Sequence, residues 1–168
     1  NEYSMLDKAD LVFIDPVGTG YSKPIGVGKG SDFWGVDQDA NSLAQFVSRY
    51  LSETDRWNSP RYLMGESYGT TRSAALSALL QRRNIDLNGV ILLSSVLDFQ
   101  TITFDPGNDE PYVLYLPSYA AVAWYHNALP TKPAQLRPFL KEVEQFATHD
   151  YATALLQGDN LSAADRAK

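Results

Sequence analysis

The feature that most constrains the fold is an alternation of short apolar runs with helix-periodic stretches along residues 9 to 97. ADLVFIDP, residues 9 to 16, is a continuous apolar run stopped by Asp15-Pro16. Its Val, Phe and Ile content predicts a strand buried on both faces. The glycine-rich VGTGYSKPIGVGKGS, residues 17 to 31, predicts a loop. From Asp32 to Glu53 the period changes. Val36, Ala40, Leu43, Phe46, Val47, Tyr50 and Leu51 recur at steps of three and four on one helical face. Asp37 and Asp39 fall in the first turn, where the helix dipole favours negative charge. RYLMGE, residues 61 to 66, and LNGVILLSSV, residues 87 to 96, are two more strand candidates. Between them, SYGTTRSAALSALLQRR is an Ala- and Leu-rich helix ending on Arg82 and Arg83. Strands alternating with helices in this order imply right-handed crossovers and a parallel sheet.

After Asp98 the alternation stops. Residues 99 to 119 are rich in aromatics, Pro and Asp and read as a wandering loop with short turns. A helix is expected after Pro117 with Ser118 as its cap. Leu136, Phe139, Leu140, Val143, Phe146 and Ala147 lie at helical spacing, continued by Tyr151, Leu155 and Leu156, and Ser162 caps a last helix. The expected class is α/β: a partial parallel-sheet core in residues 1–97, then a mostly helical region in 98–168.

Composition removes several function classes. A chain of 168 residues with 44% hydrophobic and 20% charged residues is globular and of single-domain size. Its net charge of -6, with scattered Lys and Arg, argues against nucleic acid or an anionic membrane as partner. It has no cysteine, which excludes disulfides, thiolate metal sites and a cysteine nucleophile. No apolar run approaches the 18 residues of a spanning helix, and nothing in the sequence calls for a metal or cofactor. The chain begins at Asn1 without a signal peptide, so it is expected to be processed or a piece of a longer protein. An open sheet in such a piece would expose strand edges and apolar faces, and self-association is expected.

Chemistry concentrates at Gly65-Glu66-Ser67-Tyr68-Gly69, which has the form G-x-S-x-G between a predicted strand and a predicted helix. That context is what a nucleophile elbow requires. The serine sits on a sharp strained turn, small residues at Gly65 and Gly69 relieve crowding, and the N-terminal end of the helix faces the space above Ser67. An oxyanion forming there would be stabilised by the Tyr68 N–H. The competing reading is a serine that caps an ordinary helix. GTGYSK and GVGKGS suggest phosphate binding, but neither completes a known phosphate-loop pattern. They fit better as a loop at the C-terminal edge of the sheet, where ligands dock.

FIDPVGTGYS, residues 13 to 22, followed by GESYG some forty-five residues later, resembles the serine carboxypeptidases, the S10 peptidases of the α/β-hydrolase fold. Two motifs in order and at family-like spacing are far more specific than either alone. The resemblance is carried by residues 9 to 97, and residues 98 to 168 match in place the helical cap that members insert. It implies Ser67 as nucleophile, the Tyr68 N–H as one oxyanion donor, and Glu66 as a contact for the free C-terminal carboxylate of a peptide substrate. Two carboxyl groups share a hydrogen bond only when one is protonated, so such binding would weaken as pH rises. Gly18, Thr19, Gly20 and Tyr21, with Asp15, would line the substrate side and shape it. A secreted or periplasmic location follows from the resemblance.

The departures are specific. The family's Asn-Gly-Gly-Pro-Gly segment, source of the second oxyanion N–H, is absent, and its catalytic Asp and His are expected beyond Lys168. TTRSAAL, directly after the elbow, departs from the family's Gly-His-Tyr-like continuation and suggests a divergent bacterial branch. His126 and His149 fall on expected cap helices rather than on a loop after the last strand, which disfavours both as the base. Asp98 reads as a loop or helix cap more than as the triad acid. The expected activity is serine-type carboxypeptidase, with this chain alone a poor catalyst. The alternatives are an esterase or acyltransferase on the same elbow, or a non-catalytic binding or scaffold domain.

Overall fold

The computed structural model describes residues 3–167 and separates into two compact units, Asn1–Leu97 and Asp98–Lys168. Helix α1 spans Val36–Glu53, strand β1 Tyr62–Glu66, helix α2 Tyr68–Arg82 and strand β2 Gly89–Leu93. The two strands pair in parallel, Tyr62 against Gly89 through Glu66 against Leu93. Parallel neighbours need a crossover, and α2 supplies it.

The expected alternation is present in this stretch, and burial explains why. Leu43, Ala44 and Leu51 of α1 meet Leu76 and Leu80 of α2 and Ile85 in one buried cluster. Leu63, Val47, Leu79, Leu87 and Ile14 pack around it. Removing a fully buried leucine such as Leu80 would cost about 2–5 kcal/mol through lost transfer energy and the cavity left behind. Two members of the expected helical face depart from it. Val36, the first residue of the helix, and Phe46 remain exposed. The helix also starts later than the sequence suggests, because residues Gly30–Phe33 form a separate 3-10 turn.

The first expected strand does not form. Residues 9 to 15 form no strand and join no ladder among the described residues. Leu11, Val12 and Phe13 are exposed, Phe13 at 91%, and only Ile14 reaches the core. An extended segment without a neighbour gains no inter-strand hydrogen bonds to offset its ordering entropy, so apolar composition alone does not make it a strand.

Helix α2 covers one face of the sheet at β1, while Val90 and Leu92 of β2 on that face stay exposed. Leu63 and Gly65 point towards α2, where a Cβ on Gly65 would meet Gly69 and Ser73. Alternation puts Tyr62, Met64, Ile91 and Leu93 on the opposite face, and all four are exposed.

In the second unit α3 spans Glu110–Tyr125, α4 Leu136–Phe146, α5 Ala152–Gln157 and α6 Ala163–Arg166. Helix α3 starts seven residues before Pro117 rather than after it, so Ser118 is interior and caps nothing. Pro111 in the first turn is pre-set for a helix start, and the interior Pro117 costs the hydrogen bond to the Val113 carbonyl without ending the helix. Phe104 packs edge-on to Tyr112 at 5.0 Å and Tyr115 at 5.6 Å, which anchors α3 against the preceding turn. The α4 face foreseen in the sequence is half-buried and ends on the buried Ala147. From there one π-helical turn, Ala147–Tyr151, joins α4 to α5. Ser162 caps α6 by accepting from the Asp165 N–H at 3.1 Å. Asn1 and Lys168, which bear on the expectation of a longer parent chain, lie outside the described residues.

Candidate active site

Ser67 is the single residue between β1 and α2, with φ 56° and ψ -124°. A non-glycine residue in this region costs of order 1–3 kcal/mol and persists only where its surroundings enforce it. Three constraints are visible. The Ser67 N–H donates to the Leu93 carbonyl at 3.0 Å, extending the parallel ladder one residue past Glu66. Its carbonyl accepts from the Thr70 N–H at 2.9 Å and the Thr70 hydroxyl at 2.7 Å. Gly65, one step before Glu66, lies so close to the helix that an added Cβ would meet the Gly69 oxygen at 1.9 Å.

The crowding is one-sided. A Cβ on Gly69 would meet nothing within 4 Å, so of the two small residues expected to relieve the turn only Gly65 does so. The serine side chain makes no capping hydrogen bond and the residue is exposed. The helix-cap reading of Ser67 therefore fails: the hydroxyl is presented to solvent rather than folded back on the helix. Glu66 ends β1 and is exposed, and Tyr68 begins α2, so its N–H stands at the positive end of the helix dipole.

Two charged residues brace the far side of the turn. The Arg72 guanidinium stacks 5.1 Å from the Tyr68 ring centroid and donates through Nε to Asp39 Oδ2 at 2.6 Å. Asp39 is only 9% exposed, so this ion pair ties α1 to the second turn of α2 in a partly desolvated setting. From the sequence Asp39 reads as a helix-dipole residue, and Arg72 carries no expected role. The available signal was a carboxylate on the same helical face as Leu43, where an unpaired charge is costly.

The 15–22 loop closes on itself. Asp15 Oδ2 accepts from the Tyr21 N–H at 2.9 Å, Thr19 N–H and hydroxyl both donate to Pro16, and the Gly18 N–H donates to Ser22. Gly20, at φ 49°, leaves room for the Asp15 carboxylate, which an added Cβ would meet at 2.1 Å. Asp15 thus shapes the loop from within. Gly18, Thr19, Gly20 and Tyr21 are exposed, Tyr21 at 98%.

The remaining candidates lie in the second unit. Asp98 caps a short 3-10 turn by accepting from the Gln100 N–H at 3.0 Å. His126 follows the end of α3, exposed and edge-on to the Tyr125 ring at 5.0 Å. His149 lies in the π turn with Nδ1 2.9 Å from the Gln145 carbonyl oxygen and 3.0 Å from the Thr148 hydroxyl. Among the described residues no group of three His, Cys, Asp or Glu is placed to hold a metal, and no helix is long and apolar enough to cross a membrane.

A parallel βαβ unit with an exposed serine held at positive φ between strand and helix defines a mixed α/β protein with a candidate nucleophile. A family model described as serine carboxypeptidase, peptidase S10, matches residues 1–132, and the chain belongs to this family of hydrolases. The match runs well past the 9–97 stretch in which the motifs lie, into α3 of the second unit. No curated protein and no solved structure matches the chain.

Proposed function

We propose that Ser67 is the nucleophile of a serine-type carboxypeptidase, and that the turn from Gly65 to Gly69 is its nucleophile elbow. The observation that carries this reading is the Ser67 conformation, φ 56° with the side chain uncapped and exposed, in a chain of this family. A strained residue that contributes no structural hydrogen bond from its side chain has a functional rationale where it has no structural one. Ser67 Oγ attacks the last peptide carbonyl carbon and passes its proton to a base. The tetrahedral oxyanion then collapses, the C–N bond breaks, and the departing amino acid takes that proton. Water hydrolyses the acyl-enzyme by the same steps in reverse roles. The Tyr68 N–H donates to the oxyanion, and Glu66 contacts the substrate's C-terminal carboxylate. Gly18, Thr19, Gly20 and Tyr21 form the substrate-side wall, held in shape by Asp15. We assign the base to neither His126 nor His149.

A fluorophosphonate probe applied to the full-length protein tests the nucleophile. Labelling at Ser67 that Ser67→Ala abolishes supports it, and absence of labelling supports a scaffold instead. A blocked peptide, its C-terminally amidated twin and a simple ester test the specificity. Equal rates on the free and amidated peptides would remove the exopeptidase assignment and leave an esterase or acyltransferase.

A further inference from the structure

We propose that the Thr70 hydroxyl is a positioning group for Ser67, locking the strained serine turn to the chain that leaves β2. This rests on the nucleophile reading above but makes a separate structural claim. Thr70 is fully buried, at 0% exposure, and its single hydroxyl is used twice. It donates to the Ser67 carbonyl at 2.7 Å and accepts from the Val96 N–H at 2.8 Å. The neighbouring Thr71 hydroxyl donates to the Val96 carbonyl, so both polar groups of Val96 are held by the first turn of α2.

The ordinary explanation for a threonine near a helix start is a local hydrogen bond to a carbonyl three or four residues back. The Ser67 contact alone would fit it. The Val96 contact does not, because it reaches 26 residues along the chain and fixes the direction in which the same hydroxyl points its proton. With Val96 N–H occupying an acceptor lone pair, the hydroxyl hydrogen is left for the Ser67 carbonyl, the better placed of its two acceptors. That carbonyl sets the Ser67 backbone orientation, and thereby the direction in which Oγ leaves the turn. Removing the hydroxyl leaves the serine turn with the ladder bond to Leu93, the Thr70 N–H and the Gly65 contact, and orphans the Val96 N–H in a part-buried position. Thr70 touches neither substrate nor reacting atoms, so it positions rather than catalyses.

The test compares Thr70→Val, which keeps the shape and loses the hydroxyl, with Thr70→Ser, which keeps the hydroxyl. Two readouts are taken on the full-length protein: amide exchange at Val96, and the rate of fluorophosphonate labelling at Ser67. Thr70→Val should speed Val96 exchange and slow labelling by about tenfold each, the loss of roughly one hydrogen bond. Thr70→Ser should stay within about threefold of wild type on both, and on a peptide the Thr70→Val loss should fall on kcat with KM nearly unchanged. Leu80→Ala, a destabilising change in the core, should leave the labelling rate of folded protein unaltered. Unchanged Val96 exchange in Thr70→Val overturns the proposal whether or not Ser67 labels. Labelling of Thr70→Val at the wild-type rate, or an equal loss in Thr70→Ser or Leu80→Ala, overturns it while leaving Ser67 as nucleophile. Faster Val96 exchange in a protein that never labels upholds the lock and defeats the nucleophile reading. Should Thr70→Val fail to fold, wild-type exchange decides: a Val96 amide as slow as those of β2 supports the lock, and one as fast as an open loop refutes it.

Discussion

Gly65→Ala and Gly69→Ala make the same chemical change at the two ends of one pentapeptide and should have opposite effects. At Gly65 the new methyl would stand 1.9 Å from the Gly69 oxygen, 2.3 Å from its carbonyl carbon and 2.6 Å from Ser73 Oγ. Two of these neighbours are backbone within a helix and do not swing aside, so β1 and α2 must part by about 1 Å locally. Overpacking against a rigid partner costs about 3 kcal/mol, at the upper end of the usual range. For a chain of this length that lowers the melting temperature by about 6–12 °C. At Gly69 the methyl enters open space in the first turn of α2, where Ala is favoured over Gly by about 1 kcal/mol. Gly69→Ala should therefore raise the melting temperature by about 2–4 °C. Thermal unfolding followed by circular dichroism, with urea titration as a check, measures both. If Gly65→Ala costs less than Gly69→Ala, or the two cost the same, the packing of the turn described above is wrong.

Other outcomes follow from the same contacts. Ser67→Gly should abolish probe labelling and raise stability by about 1 kcal/mol in urea unfolding, since it relieves positive φ and removes no side-chain hydrogen bond. Arg72→Ala and Asp39→Ala should each destabilise, and the double variant should cost less than their sum by about 1–2 kcal/mol in a double-mutant cycle, given the partly buried pair. Glu53→Gln should leave the melting temperature unchanged, because the Arg49–Glu53 pair is exposed, although Glu53 raises the guanidinium pKa through its hydrogen bond and charge. The chain by itself should self-associate through the bare sheet face, visible as concentration-dependent elution in gel filtration and reduced by Ile91→Lys. A monomer at all concentrations would count against that.

Legibility in the sequence tracked how local the determining physics is. Helix α1, strand β1, helix α2 and strand β2 were readable because period and flanking Gly, Pro and charge already specify them, to within a few residues. The run at residues 9 to 16 misled because being a strand depends on a neighbour, which composition does not reveal. Pro117 misleads in the opposite sense: Pro111 in the first turn favours the start of α3, and a single lost hydrogen bond does not outweigh the packing of the helix. At the site, the pentapeptide points to Ser67, while Thr70 and Arg72 carry no local signal and Asp39 carries only its place on the apolar face of α1. Their roles come from contacts across tens of residues, and no motif short enough to recognise contains both partners.

The contacts that shape Ser67 also share a boundary with consequences for biosynthesis. Gly65 against Ser73, Ser67 against Leu93 and Thr70 against Val96 all fall within one βαβ segment. Contacts this close in sequence form early, and chains fold domain by domain from the N-terminus as they are made. The serine turn can therefore be set on the ribosome once residue 97 has emerged, before the second unit has been made.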